Sequence, residues 1–480
     1  MKPLRFSKKD KVLLKVVYAF ARKNKVKLYL VGGCLRDLVM ARAKENPDFD
    51  FCLQRGAINF GRKLAKEIRA GFVLLDKEHG ACRVVKKAKD QLITLDFTDF
   101  RGKTLEEDLL RRDFTINTLV MELEAVFLDT DLNRLWLDMF QGAKDIKEKT
   151  VRAIAEAAFL EDPLRILRAF SFSALFGFKI DSQTLLWAKR SGRKLAQVSG
   201  ERVRDELFKI FDSGRAYENL VKLDELKILG IIFPEIEKMR GVSQGPYHHL
   251  DIWLHSLESV KQMEKLLKET AGEVEIRDYV SQAMPGERRR KALMVLGSLL
   301  HDVGKPKARR REGRKIKFHG HERIGFEISD GIGRRLKLSV DEIRALQKMV
   351  MWHLRPGYLG DQEEVTPRAA FRYFRDTEEE AVSTLLLSVA DQRSTLGRLT
   401  TKKSRVQHER ICFGLVKEYF RRKKELRPAR LINGDDLLRQ FKLEPSPLIG
   451  KILSEIEELQ AIGRIKNKTQ ALEEARKMIR

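Results

Sequence analysis

The chain has 480 residues, enough for about three domains at roughly 100 to 200 residues each, and carries 95 Lys+Arg against 69 Asp+Glu for a formal net charge of +26. That excess is spread along the chain and points to a polyanionic partner, nucleic acid before membrane, through neutralisation of phosphates. Cys34, Cys52, Cys82 and Cys412 lack C-x-x-C spacing, which argues against a disulfide framework or thiolate zinc site; with no signal-peptide core and no apolar run of about 18 residues, the expectation is a cytoplasmic protein without a membrane partner.

Residues 8–22 have the spacing of an amphipathic helix. Residues 28–51, LYLVGGCLRDLVMARAKENPDFDF, then read as an apolar strand, a bare Gly32-Gly33 turn, a helix from Leu35, and a second strand at Asp48-Phe49-Asp50-Phe51. Glycines at such a turn let backbone N–H groups approach a phosphate, the helix start adds positive potential, and Arg36 reaches over it. A strand's period of two puts Asp48 and Asp50 on one face and the two phenylalanines on the other. Adjacent carboxylates repel unless a cation lies between them, and hard oxygen ligands suit Mg²⁺.

Residues 58–70 read as a helix; 72–76, 81–85 and 91–100 read as strands, with turns at 78–80 and 86–90. Asp96 interrupts the apolar run of the last strand, and an acid in a central strand needs a partner, which a metal held by Asp48 and Asp50 would supply. From about residue 145 strand signals vanish and long helical periods take over. The fold class is therefore α+β, a small mixed head followed by a long all-α body. Boundaries near 145, 240 and 400 give segments 1–145, 146–240, 241–400 and 401–480. The polar stretch 268–290 reads as a loop within the third.

In the body, Asp162 is placed to cap a helix with Pro163 at its first position, and Arg165 and Arg168 share a face away from Leu164, Leu167 and Phe170. A carboxylate accepts from an amino group and a guanidinium donates to a ring nitrogen or carbonyl. Asp162 with Arg165 thus matches the pairing edges of C and A, each pair discriminating by roughly 1–3 kcal/mol. Further on, His255, His301-Asp302, His321, His353 and Asp391 fall at helix ends or just after apolar runs. Imidazole plus carboxylate suits Mn²⁺, Fe²⁺, Ni²⁺ or Zn²⁺. The tail is basic at residues 421–424.

Several of these strings resemble motifs of one family. G-G-x-x-R-D followed by D-x-D-F resembles the nucleotidyltransferases of the DNA polymerase beta superfamily, in the bacterial branch that holds tRNA CCA-adding enzymes and poly(A) polymerases. Residues 111–117, R-R-D-F-T-I-N, closely match a second motif, residues 161–169 resemble the amino-acid template for the incoming base, and residues 201–207 resemble an E-R-x-x-x-E-L helix-positioning element. The resemblance implies that Asp48, Asp50 and Asp96 are catalytic and hold Mg²⁺. It assigns phosphate contacts to Gly32, Gly33, Arg36 and Arg112, sugar contacts to Asp113 and Asn117, and base selection to Asp162, Arg165 and Arg168.

The histidine series resembles the HD-domain metal phosphohydrolases, with His255, His301, Asp302 and Asp391 as core ligands, His321 and His353 completing a second site, and Lys305 steadying a phosphate. Residues 431–437 and 447–453 resemble the RNA-contacting tail of HD-bearing members. The implied activity is template-independent addition of C and A from CTP and ATP to a tRNA 3′ end. Only Gly102-Lys103-Thr104 separates Phe100-Arg101 from the next helical segment, and a connection that short resembles members that add only the two C residues. Poly(A) polymerase is a further alternative, and a metal phosphohydrolase acting on cyclic or terminal phosphates is the alternative of another class.

Overall fold

The computed structural model describes residues 6–42, 48–88, 91–128, 135–313, 315–360, 364–424 and 430–479. It divides into two compact units, Met1–Ile210 with Lys222–Ile232, and Phe211–Val221 with Phe233–Arg480.

In the first unit the helix Lys8–Lys23 is capped by Ser7, whose side chain accepts from the Asp10 N–H, and it turns Leu14, Val17 and Phe20 inward. Seven strands follow: β1 (Tyr29–Val31), β2 (Phe49–Leu53), β3 (Gly71–Asp76), β4 (Ala81–Ala88), β5 (Gln91–Asp99), β6 (Val120–Glu122) and β7 (Trp136–Leu137). They form one sheet in the order β3-β4-β5-β2-β1-β6-β7. Every pairing is antiparallel except β2 with β5, where Asp50 lies beside Asp96 and Phe51 beside Phe97. A parallel pair needs a long crossover, here the helix Ala57–Glu67 and the β3–β4 hairpin. Phe51 and Phe97 stack with centroids 4.9 Å apart, and Phe60 of the crossover helix packs on Phe97 at 5.2 Å. The phenylalanines anchor one face of the sheet, so the alternating acids occupy the other.

Sequence expectations and structure differ in four places. β4 runs on to Ala88 instead of turning at residue 86, because Lys86 and Lys87 pair with Ile93 and Leu92; residues 89–90 of the expected turn lie outside the described residues. Strands do not vanish after residue 145: β8 (Thr150–Val151) pairs parallel with β9 (Lys179–Ile180), and β10 (Arg310–Glu312) antiparallel with β11 (Lys315–Lys317). Strands of two or three residues are too short to leave a period. Within the expected loop 268–290 a helix, Val274–Ser281, buries Ile276, Tyr279 and Val280 beneath a charged outer face. The helix expected to open on Pro163 begins at Leu164, with the Leu164 N–H donating to Asp162 Oδ1 at 3.2 Å.

The second unit is built on the helices Ile252–Glu269, Arg290–Leu300, Val340–Trp352 and Ala381–Ser394, whose apolar faces are buried. A buried Arg290–Glu380 ion pair and the Tyr279 hydroxyl, 2.8 Å from Ser383 Oγ, tie three segments together. The last helices, Gly434–Phe441, Pro447–Ala461 and Lys468–Ile479, share a separate apolar cluster that includes Leu437, Ile452, Ile456 and Ala471. All four cysteines are free and buried. Burial pushes the thiols of Cys34 and Cys52 up to about 12 and that of Cys82 to about 11.

Phe97 is fully buried in the ring stack, so Phe97→Ala is expected to destabilise the first unit by about 3–5 kcal/mol. Denaturant unfolding followed by a probe in that unit measures it. A change below about 1 kcal/mol would mean that the stack does not organise the sheet.

Candidate active site and metal centre

Gly32 ends β1 with φ +77°, and a Cβ there would lie 3.2 Å from Asp50 Oδ2 and 3.6 Å from Arg112 Nη1. A bare turn thus brings the backbone against one acid and one base. Arg36, four residues on, is buried: Nε and Nη2 donate to Asp37 Oδ1 at 2.9 and 2.8 Å, and Nη1 to Asn117 Oδ1 at 2.8 Å. Its guanidinium lies against the rings of Phe172 and Phe176, 5.1 and 4.7 Å from their centroids. Asn117 Nδ2 donates to Asp113 Oδ1 at 2.9 Å, and Arg168 Nε lies 3.0 Å from Asp113 Oδ2. Four residues expected from three separate motifs therefore form one network. Burial alone would raise the Asp113 carboxyl, but Arg168, Asn117 and the Phe114 N–H hold it below its ordinary value. Asp37, absent from the expected set, anchors Arg36.

On the sheet, Asp50 and Asp96 are neighbours across the parallel pairing, and Asp48 stands just before β2. Burial, and then the nearby Asp96 charge, push the Asp50 carboxyl up to about 6. The other two acids have turned to local donors. Thr94 Oγ1 donates to exposed Asp48 at 2.6 Å, while Arg83 Nε and Nη2 donate to Asp96 at 2.7 and 2.8 Å. Arg83 stands opposite Asp96 in the β4–β5 register, so the partner expected of Asp96 is filled by a guanidinium. Only pairing, invisible in a linear sequence, could have identified Arg83. The set offers oxygen donors alone, which fits a hard divalent cation. Arg112, beside Gly32, is held by Asp108 Oδ2 at 3.1 Å.

Of the two arginines expected on one helix face, Arg168 is exposed and Arg165 is buried. Its Nη1 donates to the Ala158 carbonyl at 3.2 Å and Nη2 to the Arg111 carbonyl at 2.9 Å. Asp162 Oδ2 accepts from Arg202 Nη2 at 2.8 Å, which ties the E-R-x-x-x-E-L segment to the base-template segment. The short connection after Arg101 is closed: the Arg101 N–H donates to Asp108 Oδ1 at 3.1 Å, the Lys103 N–H to Glu107 Oε2 at 2.6 Å, and the Glu107 N–H to Thr104 Oγ1 at 3.2 Å.

In the second unit all six histidine and aspartate residues expected at a metal site converge. His255, His301 and Asp391 form one group, Asp302, His321 and His353 another, with ligand atoms in each within 4.8 Å of one another. Asp302 joins them, with Oδ2 3.3 Å from His301 Nε2 and Oδ1 3.4 Å from His321 Nε2. The Nδ1 atoms of His301, His321 and His353 lie 2.9, 2.8 and 2.7 Å from the Ser298, Phe318 and Val350 carbonyls. Those bonds place the proton on Nδ1 and leave Nε2 as the inward lone pair. Asp302 Oδ1, His321 Nε2 and His353 Nε2 are buried without a hydrogen-bond partner. Orphaned donor atoms converging on one point fit a divalent ion. Burial alone would raise the Asp302 carboxyl; His301 and Lys305 hold it well below its ordinary value.

Three residues beyond the expected ligand set complete the surroundings. Lys305 Nζ donates to Asp302 Oδ2 and Gln244 Oε1, both at 2.6 Å. The His248 ring packs edge-on to His255, with centroids 4.8 Å apart. Gln244 and His248 sit in residues 240–249, RGVSQGPYHH, at the boundary placed near residue 240.

Two outcomes are expected. A carboxyl raised in the fold binds more protons folded than unfolded, so without metal its ionisation between its ordinary 3.8 and about 6 lowers stability as pH rises. A bound cation opposes this. The thermal stabilisation given by Mg²⁺ should therefore grow from about pH 5 to about pH 7, and Asp50→Asn should flatten that growth. In the second unit, Asp302→Ala should lower bound Mn²⁺ per chain, read by elemental analysis, more than His255→Ala or His353→Ala does. Equal losses would contradict a shared ligand.

Family models match along most of the chain. The poly(A) polymerase head domain matches residues 28–152, the RNA- and SrmB-binding model of polymerase A residues 177–239, the HD domain residues 252–396, and tRNA nucleotidyltransferase domain 2 residues 332–475. The chain is 28% identical over 448 residues to an A-adding tRNA nucleotidyltransferase of Deinococcus radiodurans, covering 91% of this chain and 92% of the relative. It is 28% identical over 449 residues to a CC-adding tRNA nucleotidyltransferase of Thermus thermophilus, covering 92% and 91%. Its fold matches the Thermotoga maritima CCA-adding enzyme complexed with tRNA, with TM-score 0.64 and 21% identity over 99% of this chain and 97% of that one. Head and HD domains of these kinds work with divalent metals. The chain carries a poly(A) polymerase-type head and an HD domain, is similar over 91% of its length to a tRNA nucleotidyltransferase, and is a nucleotidyltransferase.

Proposed function

We propose that the protein builds or repairs the CCA terminus of tRNA, adding C and A from CTP and ATP without a nucleic-acid template. The observation that carries this reading is the parallel pairing of Asp50 with Asp96 beside the Gly32 turn and Arg112. In this reading residues 1–145 are the catalytic head, 146–240 the neck with the base template, 241–400 the HD-type domain, and 401–480 a basic RNA-binding tail.

The primer's terminal hydroxyl attacks the α-phosphate of the incoming nucleotide and pyrophosphate leaves. Mg²⁺ held by Asp48 and Asp50, with Asp96 beside them, would lower the pKa of the hydroxyl and neutralise the phosphates. The backbone at Gly32 and Gly33 cradles phosphate with Arg112 beside it, and Arg36 draws the turn against Asn117. Asp113 and Asn117 orient the sugar. Asp162 reads the base edge with Arg202 setting its carboxylate, while buried Arg165 braces the template helix on the Ala158 and Arg111 carbonyls and Arg168 joins that helix to Asp113.

A second reading, addition of the two C residues alone, is favoured by the closed connection after Arg101, which leaves no slack between β5 and the next helix. At the HD centre a Mn²⁺, Ni²⁺, Fe²⁺ or Zn²⁺ ion would activate water against a phosphoester, with Lys305 at the phosphate.

Purified protein, tRNA ending at the discriminator base, and labelled CTP and ATP, singly and together, test both. Three added nucleotides with both substrates are expected; two would establish the CC-only reading, and none would overturn the transferase assignment. Asp50→Asn should lower addition by at least about 100-fold with tRNA binding unchanged.

A further inference from the structure

Between the two turns that carry HD ligands the chain makes a strongly basic hairpin. Residues 305–317, KPKARRREGRKIK, hold eight Lys or Arg and one acid. β10 and β11 pair with Arg310 opposite Lys317, and β10 is fully exposed. Lys305 at its start touches Asp302, and His321 follows β11 by four residues. Gly304 fixes the base of the hairpin, since a Cβ there would lie 2.1 Å from the His321 carbonyl oxygen. Three-residue strands reach about 10 Å from that base.

The exposed cations are largely unspent. Lys317 meets Glu312 at 2.5 Å and Arg311 Nε donates to the Gly313 carbonyl at 3.2 Å, whereas Lys307, Arg309 and Arg310 have no hydrogen-bond or ion-pair partner among the described residues. Aromatic rings flank the same centre. Half-buried Phe318 lies under Lys305, its centroid 5.8 Å from Nζ. Tyr247, 57% exposed, precedes His248 and is pinned by the Gly397 N–H, which donates to its carbonyl at 2.7 Å. Backbone-tracking cations interleaved with rings are the means by which proteins hold single-stranded RNA. An anionic membrane would call for exposed apolar side chains on the arm, and its one aliphatic residue between the strands' ends, Ile316, is half-buried.

We infer that the β10–β11 hairpin is a polynucleotide-binding arm of the HD centre, which therefore takes a phosphate at the end of an RNA strand in preference to a free mononucleotide. This rests on the phosphohydrolase reading of that centre. The water oxygen bonds to phosphorus, and the bond from phosphorus to the ribose oxygen breaks. That oxygen keeps the electron pair and takes a proton, leaving a free hydroxyl and inorganic phosphate.

The test compares wild type with Lys307→Gln/Arg309→Gln/Arg310→Gln, loaded with Mn²⁺, on a 3′-phosphorylated RNA of about six nucleotides and on adenosine 3′-monophosphate. The variant should raise KM for the RNA about tenfold, leave mononucleotide turnover unchanged, and flatten the salt dependence of RNA binding by about 2 in log–log slope. Equal KM for RNA in both proteins would overturn the inference. Equal loss on both substrates would also overturn it, making the hairpin a support for the metal site. Loss confined to binding of phosphatidylserine vesicles would replace RNA with a membrane. If wild type hydrolyses neither substrate, the phosphohydrolase reading fails and the inference falls with it, an outcome distinct from failure of the arm alone.

Discussion

The repulsion between Asp50 and Asp96 is the constraint on which the head depends. Parallel pairing of β2 with β5 fixes these carboxylates side by side, and the Phe51–Phe97 stack on the opposite face prevents a register slip, which would turn the phenylalanines outward. The protein cannot relieve the repulsion by moving the strands. It relieves it with cations, Arg83 on Asp96 and Arg112 near Asp50, and by the upward shift of Asp50 itself. Such a surface is poised for a divalent ion because its own cations neutralise it only in part.

The HD centre solves a related problem differently. Its acids are enclosed by imidazoles, and those of His301, His321 and His353 commit their outer nitrogens to backbone carbonyls and turn the inner ones toward the acids. In the head, by contrast, Asp48 and Asp96 have turned toward Thr94 and Arg83. One site is preorganised by burial and the other relies on partners that must yield. This difference follows from location: the HD ligands sit in a helical core, whereas the head acids lie on one face of a sheet.

Residues set by local strings were legible in the sequence. Strand period places Asp48 and Asp50 on one face and Asp96 breaks an apolar run, while the roles of these acids and of the six HD residues come from the resemblance of their strings to known motifs; the fold gathers each set in one place. Residues defined by pairing were not legible. Arg83 acquires its role only from standing opposite Asp96, Arg202 from reaching Asp162 across 40 positions, and Gln244 and His248 from a loop returning to the metal centre. Spacing puts Arg165 on the face of Arg168, but spacing reports only direction around a helix and cannot report that the Ala158 and Arg111 carbonyls wait on that side. Short strands such as β8 to β11 escape for the same reason, being specified by their neighbours.

The four buried thiols have a practical corollary. Each is buried, and burial raises all of them, so little thiolate forms near neutrality. The native surface is chemically quiet toward thiol reagents. A single cysteine placed on an exposed helix would thus be the one reactive handle, and a fluorophore or spin label could report on either unit without first removing the native sulfurs.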